Sequence, residues 1–162
     1  MEKVLQTYYY LAYGANTNIS HMSRRCPNSK FLGSATLRDY QLVFRLHADI
    51  ELCSGSDVVG VLWEMTREDL ETLDVFESVP TYYIRHMVWV YPDSDTDIPD
   101  EHIHNNQCIK AWVYEMVDKD EHSYPTQSYW ECCNEGYHAN GIHLDQLDNA
   151  VRMISDKEDD CR

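Results

Sequence analysis

Two short stretches of this chain carry residue types that could do chemistry. The first is Tyr10-Leu11-Ala12-Tyr13-Gly14-Ala15-Asn16, an apolar run that breaks at a glycine. Glycine lets the backbone turn and approach a ligand closely, and asparagine caps the element that follows. A junction of this kind aims several N–H groups into one hollow, which suits an anion such as a carboxylate. The second is Leu73-Asp74-Val75-Phe76-Glu77-Ser78-Val79-Pro80, where a helical apolar pattern gives out at Glu77. A carboxylate between Phe76 and Val79 is partly desolvated, and desolvation raises its pKa towards the range of a general acid/base. Asp74 faces a similar direction, either as a second acid or as a capping or ion-pair residue. Taken singly, a plain turn and a solvated helix-end glutamate compete with these readings. Taken together, one acid/base group and no partner nucleophile point to a substrate that carries its own nucleophile.

The remaining signals are discounted on physical grounds. Asp93-x-Asp95-x-Asp97 resembles the start of a calcium loop, but Ile98 stands where the turn needs glycine and no glutamate closes the loop. His102-x-His104 sits in a polar segment without a third ligand nearby, so no metal site is expected. There is no G-x-S-x-G elbow and no phosphate-binding P-loop, and no cofactor is expected. Cys26, Cys53, Cys108, Cys132, Cys133 and Cys161 include no C-x-x-C pair and read as reduced thiols, with Cys26 a packing residue.

The elements that must position Glu77 and the Gly14 turn are legible in outline. Residues 4–13 read as a strand, 18–26 as a helix stopped by Pro27, and Phe31–Leu37 and Tyr40–Leu46 as strands joined by a tight turn at Arg38-Asp39. Val58-Val59-Gly60-Val61-Leu62-Trp63 is the apolar run of a strand buried on both faces. Thr66 caps a helix whose apolar face is Leu70, Leu73 and Phe76. Strands follow over Tyr82–Tyr91 and Cys108–Val117, with the acidic segment Asp93–Gln107 a surface loop or hairpin tip. A helix from Pro125 to Gly136 and a terminal helix bearing Leu144, Leu147, Val151 and Ile154 complete the chain. The order argues for an α+β fold, with a mostly antiparallel or mixed sheet able to curl into a barrel. Residues 1–155 read as one domain and 156–162 as an acidic tail.

The chain has 162 residues with 43% hydrophobic and 25% charged, enough for one proper core. A formal net charge of −15 repels nucleic acid and anionic membrane surfaces, so neither is expected as a partner. No apolar stretch is long enough to span a bilayer, and the first residues lack a secretory pattern, so a cytoplasmic location is expected.

In series, these pieces resemble the γ-glutamylcyclotransferase-like family. The likeness runs through Tyr10–Asn16, Met22 with Arg25-Cys26-Pro27, Leu32–Leu37, Leu42-Val43-Phe44, Gly60–Glu64, Leu73-Asp74-x-x-Glu77-x-Val79-Pro80-x-x-Tyr83, Tyr129–Gly136 and Asn140-Gly141. It implies an α+β fold around a small mixed β-barrel flanked by helices, with the pocket at the barrel mouth. It also implies that Tyr13, Gly14, Ala15 and Asn16 hold the α-carboxylate of a γ-glutamyl group, that Glu77 is the acid/base, and that Tyr83 and Tyr129 line the pocket, with Tyr114 a weaker carry-over. Ala15 stands where the family usually has serine, and Ser78 where it usually has glycine. The implied reaction is attack of the α-amine of a γ-glutamyl group on its own γ-carbonyl, releasing 5-oxoproline and an amine without metal, nucleotide or covalent intermediate. Cleavage of a γ-glutamylamine or of a carrier-linked γ-glutamyl group, non-catalytic binding of the same ligand, and an interaction role for the acidic surface are the alternatives. The partner expected is a small γ-glutamyl molecule; the oligomeric state is left open.

Overall fold

The computed structural model describes residues 6–160. Its centre is a closed barrel of β1 (Tyr8–Ala12), β2 (Lys30–Arg45), β3 (His47–Met65), β4 (Tyr83–Pro92) and β5 (Ile109–Met116), in the order β1-β3-β2-β4-β5. Neighbours run antiparallel except β1 and β5, whose parallel pairing at Tyr10 and Trp112 closes the ring. The helices are α1 (Ile19–Arg25), α2 (Arg67–Phe76), α3 (Gln127–Ala139) and α4 (Asp145–Asp160). The expected mixed barrel with flanking helices is therefore the architecture found.

Leu11, Phe44, Ile50, Val58, Val61 and Leu62 are fully buried in the core. Val58, Val61, Leu62 and Trp63 supply much of it, in the part of β3 that pairs with β2 along one edge and, from Val61 on, with β1 along the other. The caps follow local sequence. Asn18, Thr66 and Thr126 accept from the N–H of His21, Asp69 and Tyr129, satisfying donors that open α1, α2 and α3.

Several boundaries differ from the expected ones. Residues 4 and 5 of the expected first strand lie outside those described. Arg38-Asp39 is not a turn: β2 runs through it, with a register shift between Arg38 and Tyr40 and Asp39 at φ 63°. The Asp39 side chain accepts from the Gly55 N–H at 2.9 Å, so a residue that signals a turn here seats a bulge instead. The reversal falls at Leu46, between the paired Arg45 and His47, with φ 66°. An exposed leucine carries no turn signal, so the local sequence misplaces the hairpin tip.

Gly136 was expected to end a helix but lies inside α3, which runs on to Ala139. A Cβ there would collide with Thr17 Oγ1 and come within 2.7 Å of the Asn18 N atom. The glycine serves close approach of α3 to the turn that follows β1, not termination. The last helix continues to Asp160, so residues 156–160 of the expected tail are helical, and 161–162 lie outside the described residues.

Candidate active site

The chain leaves β1 at Ala12, and residues Ala15–Thr17 form one turn of 3-10 helix. The first bond of that turn runs from the Thr17 N–H to the Gly14 carbonyl at 3.1 Å, so the N–H groups of Ala15 and Asn16 fall outside its own ladder. Trp63 Nε1 donates to the Asn16 carbonyl at 3.0 Å, and Tyr137 OH to the Tyr13 carbonyl at 2.5 Å. The turn is thus pinned from β3 and α3. Gly14 is required by crowding: a Cβ would stand 2.8 Å from the Tyr129 hydroxyl and 3.0 Å from the Ala48 Cβ.

Glu77 caps the C-terminus of α2, its N–H bonded to the Leu73 carbonyl at 2.9 Å. The chain then reverses at Ser78, whose φ of 53° lies in the left-handed region. A serine here holds a backbone geometry that favours glycine and is strained for any residue with a Cβ. The Ser78 carbonyl accepts from the N–H groups of Thr81 and Tyr82, both at 2.9 Å, and so leads directly into Tyr83 at the start of β4.

The two halves meet. Asn16 Nδ2 lies 3.4 Å from Glu77 Oε1, across 61 residues of sequence, and also donates to Tyr10 OH at 3.1 Å. Arg25, at the end of α1, places Nη1 3.7 Å from the same Glu77 oxygen and 3.4 Å from Asn16 Oδ1, with its guanidinium 4.8 Å over the Phe76 ring. A cavity of about 640 Å³ is lined by Tyr13, Gly14, Ala15, Asn16, Glu77, Tyr83 and Tyr129, so these candidates, Asp74 apart, border one space. Only 17% of the Glu77 side chain is exposed. Burial pushes its pKa above the ordinary carboxylate value, while Arg25 and the Asn16 amide hold it back.

The tyrosines form a frame around Ala48. Tyr83 OH donates to the Ala48 carbonyl at 2.7 Å, and the Ala48 N–H donates to Tyr129 OH at 3.1 Å. Tyr13 OH donates to the Tyr114 carbonyl at 2.5 Å. Burial drives the pKa of Tyr13, Tyr83, Tyr114 and Tyr129 up, so these hydroxyls act as neutral hydrogen-bonding groups and not as acids.

Next to Ala48 lies a buried ionic cluster. Asp49, with no exposed surface, accepts from Arg45 Nη1 at 2.6 Å, Lys119 Nζ at 3.0 Å and the Met116 N–H at 2.9 Å. Arg45 also reaches Glu51 at 2.8 Å and the Asp120 carbonyl at 2.6 Å. The cluster ties the β2–β3 hairpin to the segment that leads from β5 into α3 and Tyr129.

Asp74, read as either a second acid or an ion-pair residue, is the latter. It accepts from Arg85 Nε and Tyr114 OH, both at 2.7 Å, and does not line the cavity. Cys26 is buried and packs against α2, its Sγ 3.5 Å from the Asp69 carbonyl. Cys53, Cys108, Cys132 and Cys133 are also free thiols, and Cys161 is outside the described residues. His102 pairs with Tyr9 OH, and the His104 ring lies 4.9 Å from Trp89.

Arg25, Tyr10 and His47 border the cavity without having been given a role from the sequence. Arg25 sat in the recognised Arg-Cys-Pro run but has no local feature that says it faces a carboxylate. His47 Nδ1 lies 2.9 Å from Tyr82 OH, and burial and Arg25 push its pKa below the ordinary value. Its place follows from the hairpin reversal at Leu46, which the sequence misplaces.

Comparison with known proteins finds relatives in sequence and in fold. Residues 10–132 match the family described as gamma-glutamyl cyclotransferase, AIG2-like. The gamma-glutamylcyclotransferases of Mus musculus and Homo sapiens are 33% and 31% identical to the chain over 86 residues. The alignment covers 46% of this chain and 46% of each relative, so the chain spans about half the length of the curated relatives it matches. Among solved structures, a gamma-glutamyl cyclotransferase superposes with a TM-score of 0.74 at 24% identity, covering 90% of this chain and 87% of that one. A Homo sapiens protein described as uncharacterized gives 0.73 at 25% identity, covering 90% and 86%. Among the described residues, no helix is long and apolar enough to cross a membrane. With residues 10–132 matching the family and the barrel superposing on a solved gamma-glutamyl cyclotransferase, this chain belongs to the AIG2-like gamma-glutamyl cyclotransferase family.

Proposed function

We propose that the chain catalyses cyclisation of a γ-glutamyl group, releasing 5-oxoproline and an amine. The observation that supports this most is the shared cavity: a desolvated Glu77 stands beside the Gly14–Asn16 turn, which can hold the α-carboxylate of a glutamyl head. Arg25 adds positive charge beside that turn.

The chemistry follows from the groups present. Holding the carboxylate on the turn folds the head so that its α-nitrogen lies near its own γ-carbonyl, and intramolecular placement lowers much of the barrier. Glu77 takes a proton from the α-ammonium. The freed nitrogen forms a bond to the carbonyl carbon, and the carbonyl electron pair moves onto oxygen. A tyrosine hydroxyl or a turn N–H steadies that oxyanion. The pair then returns, the bond to the leaving nitrogen breaks, and Glu77 gives its proton to the departing amine; the freed carboxylate then takes the second proton from the ring nitrogen and passes it to the amine, so the lactam leaves neutral and the amine leaves as an ammonium. One carboxylate serves as base and then acid, and ends in its starting state.

Glu77→Gln keeps the shape and removes the base. With a γ-glutamyl amide as substrate, 5-oxoproline release should fall by about 100-fold or more, the size of a lost general acid/base. Release at the wild-type rate would overturn the assignment. Retained binding of the amide without turnover by the wild type would instead indicate a γ-glutamyl binding module.

A further inference from the structure

The cavity is larger than a glutamyl head needs. About 640 Å³ lies in the range of sites that take drug-sized ligands. If the head occupies the Gly14 turn, the remaining volume must receive the departing amine. Its location is constrained, because the departing nitrogen has to reach Glu77 to collect a proton. The residues flanking Glu77 on its own turn are therefore the ones the amine's body passes.

Those residues are aromatic and open. Phe76 directly precedes Glu77 and is 53% exposed; Tyr82, on the same reversal, is 38% exposed. Both line the cavity, as does His47, whose ring meets Tyr82 edge-on at 5.9 Å and Tyr129 at 4.9 Å. The opposite side, from α1 and α3, is polar, with His21, Arg24, Glu131 and Glu135 facing the cavity. Asn18 Nδ2 donates to Glu135 at 3.2 Å, and Gln127 donates to Glu131 at 3.0 Å. The apolar surface beside Glu77 is thus the aromatic wall of Phe76, Tyr82 and His47, and covering exposed apolar area is what binding stabilises.

Resting on the cyclisation reading, we infer that Phe76, Tyr82 and His47 form the subsite for the departing amine. It takes an amine with an aromatic or branched aliphatic body in preference to a small or an anionic one. Such a body also shields Glu77 from water while the proton moves.

The test compares γ-glutamyl benzylamide, γ-glutamyl methylamide and γ-glutamyl-glutamate as substrates, reading 5-oxoproline. In the wild type, kcat/KM should favour the benzylamide over the methylamide by about 10-fold or more, within the range a hydrophobic pocket provides. Phe76→Ser and Tyr82→Ser should each bring that ratio down towards one, with Phe76→Leu restoring part of it. Both side chains are exposed, and thermal melts would verify that the variants fold. A wild-type ratio near one, or variants that leave the ratio untouched, overturns the subsite. Preference for γ-glutamyl-glutamate also overturns it, and would point to Arg24 at the cavity edge. If none of the three releases the lactam, the cyclisation reading falls separately. Calorimetric binding of the intact amides then decides the subsite, with equal affinity for benzylamide and methylamide counting against it.

Discussion

The Asp49 cluster offers the sharpest prediction, because it joins stability to the site. Asp49→Ala removes an acceptor that holds Arg45, Lys119 and the Met116 N–H inside the protein. Arg45 is only 7% exposed and would keep Glu51 alone as a counter-charge. Breaking a buried pair by removing one partner costs about 3–5 kcal/mol, since the other charge stays desolvated. For a chain of 162 residues each kcal/mol lowers Tm by roughly 2–4 °C, so the midpoint should drop by about 6–20 °C. Urea and thermal unfolding would measure the loss. A double-mutant cycle with Arg45→Ala should give a coupling of about 1–3 kcal/mol. Well below its melting point the variant should also release lactam more slowly. Ala48, whose backbone holds both Tyr83 and Tyr129, is adjacent to the removed anchor. A loss under about 1 kcal/mol, or no coupling to Arg45, would refute the view that this cluster anchors the frame.

Other perturbations test the site itself. Glu77 must be ionised to act as base and its pKa is raised by burial, so activity should fall as pH drops through a midpoint above the ordinary carboxylate value. Arg25→Gln removes the charge that holds that pKa back. It should therefore move the acid limb of the pH–rate profile to higher pH; an unmoved limb would show that Arg25 and Glu77 are not coupled. Because the folded state keeps the Glu77 proton more tightly than the unfolded chain, this group favours folding at low pH. It withdraws that contribution as pH rises through the folded midpoint. Gly14→Ala places a methyl 2.8 Å from the Tyr129 hydroxyl, and should raise KM by about 10-fold or more while leaving the far-ultraviolet spectrum unchanged; wild-type KM would mean the turn does not hold substrate. Ser78→Gly relieves a left-handed backbone that costs a non-glycine residue about 1–2 kcal/mol. Greater freedom of the unfolded chain offsets about 0.4–1 kcal/mol of that, so urea unfolding should show a small net gain, and a loss above 1 kcal/mol would contradict the strain.

Short-range signals in the chain were enough for the pieces. The Tyr13–Asn16 junction, the Thr66 cap, the buried run Val58–Trp63 and a carboxylate at the end of α2 each depend on neighbours a few residues apart, and each stands where its sequence placed it. Where local preference and tertiary packing disagreed, packing won. Arg38-Asp39 has turn chemistry but continues as a bulged strand, because β2 pairs with β3 on both sides of the bulge. Gly136 reads as a helix stop but lets α3 lie on the Thr17 turn. Leu46 reverses the chain without a turn residue, and that places His47 and Ala48 at the cavity.

The amino-acid sequence by itself determined which groups could react and which local elements carry them. Only the tertiary structure decided that Asn16 and Arg25 would face Glu77 and that an aromatic wall would stand beside it. That meeting depends on barrel register and on the packing of α1 against α2, and contacts across 61 residues are set by closure of the whole fold, which no local pattern encodes.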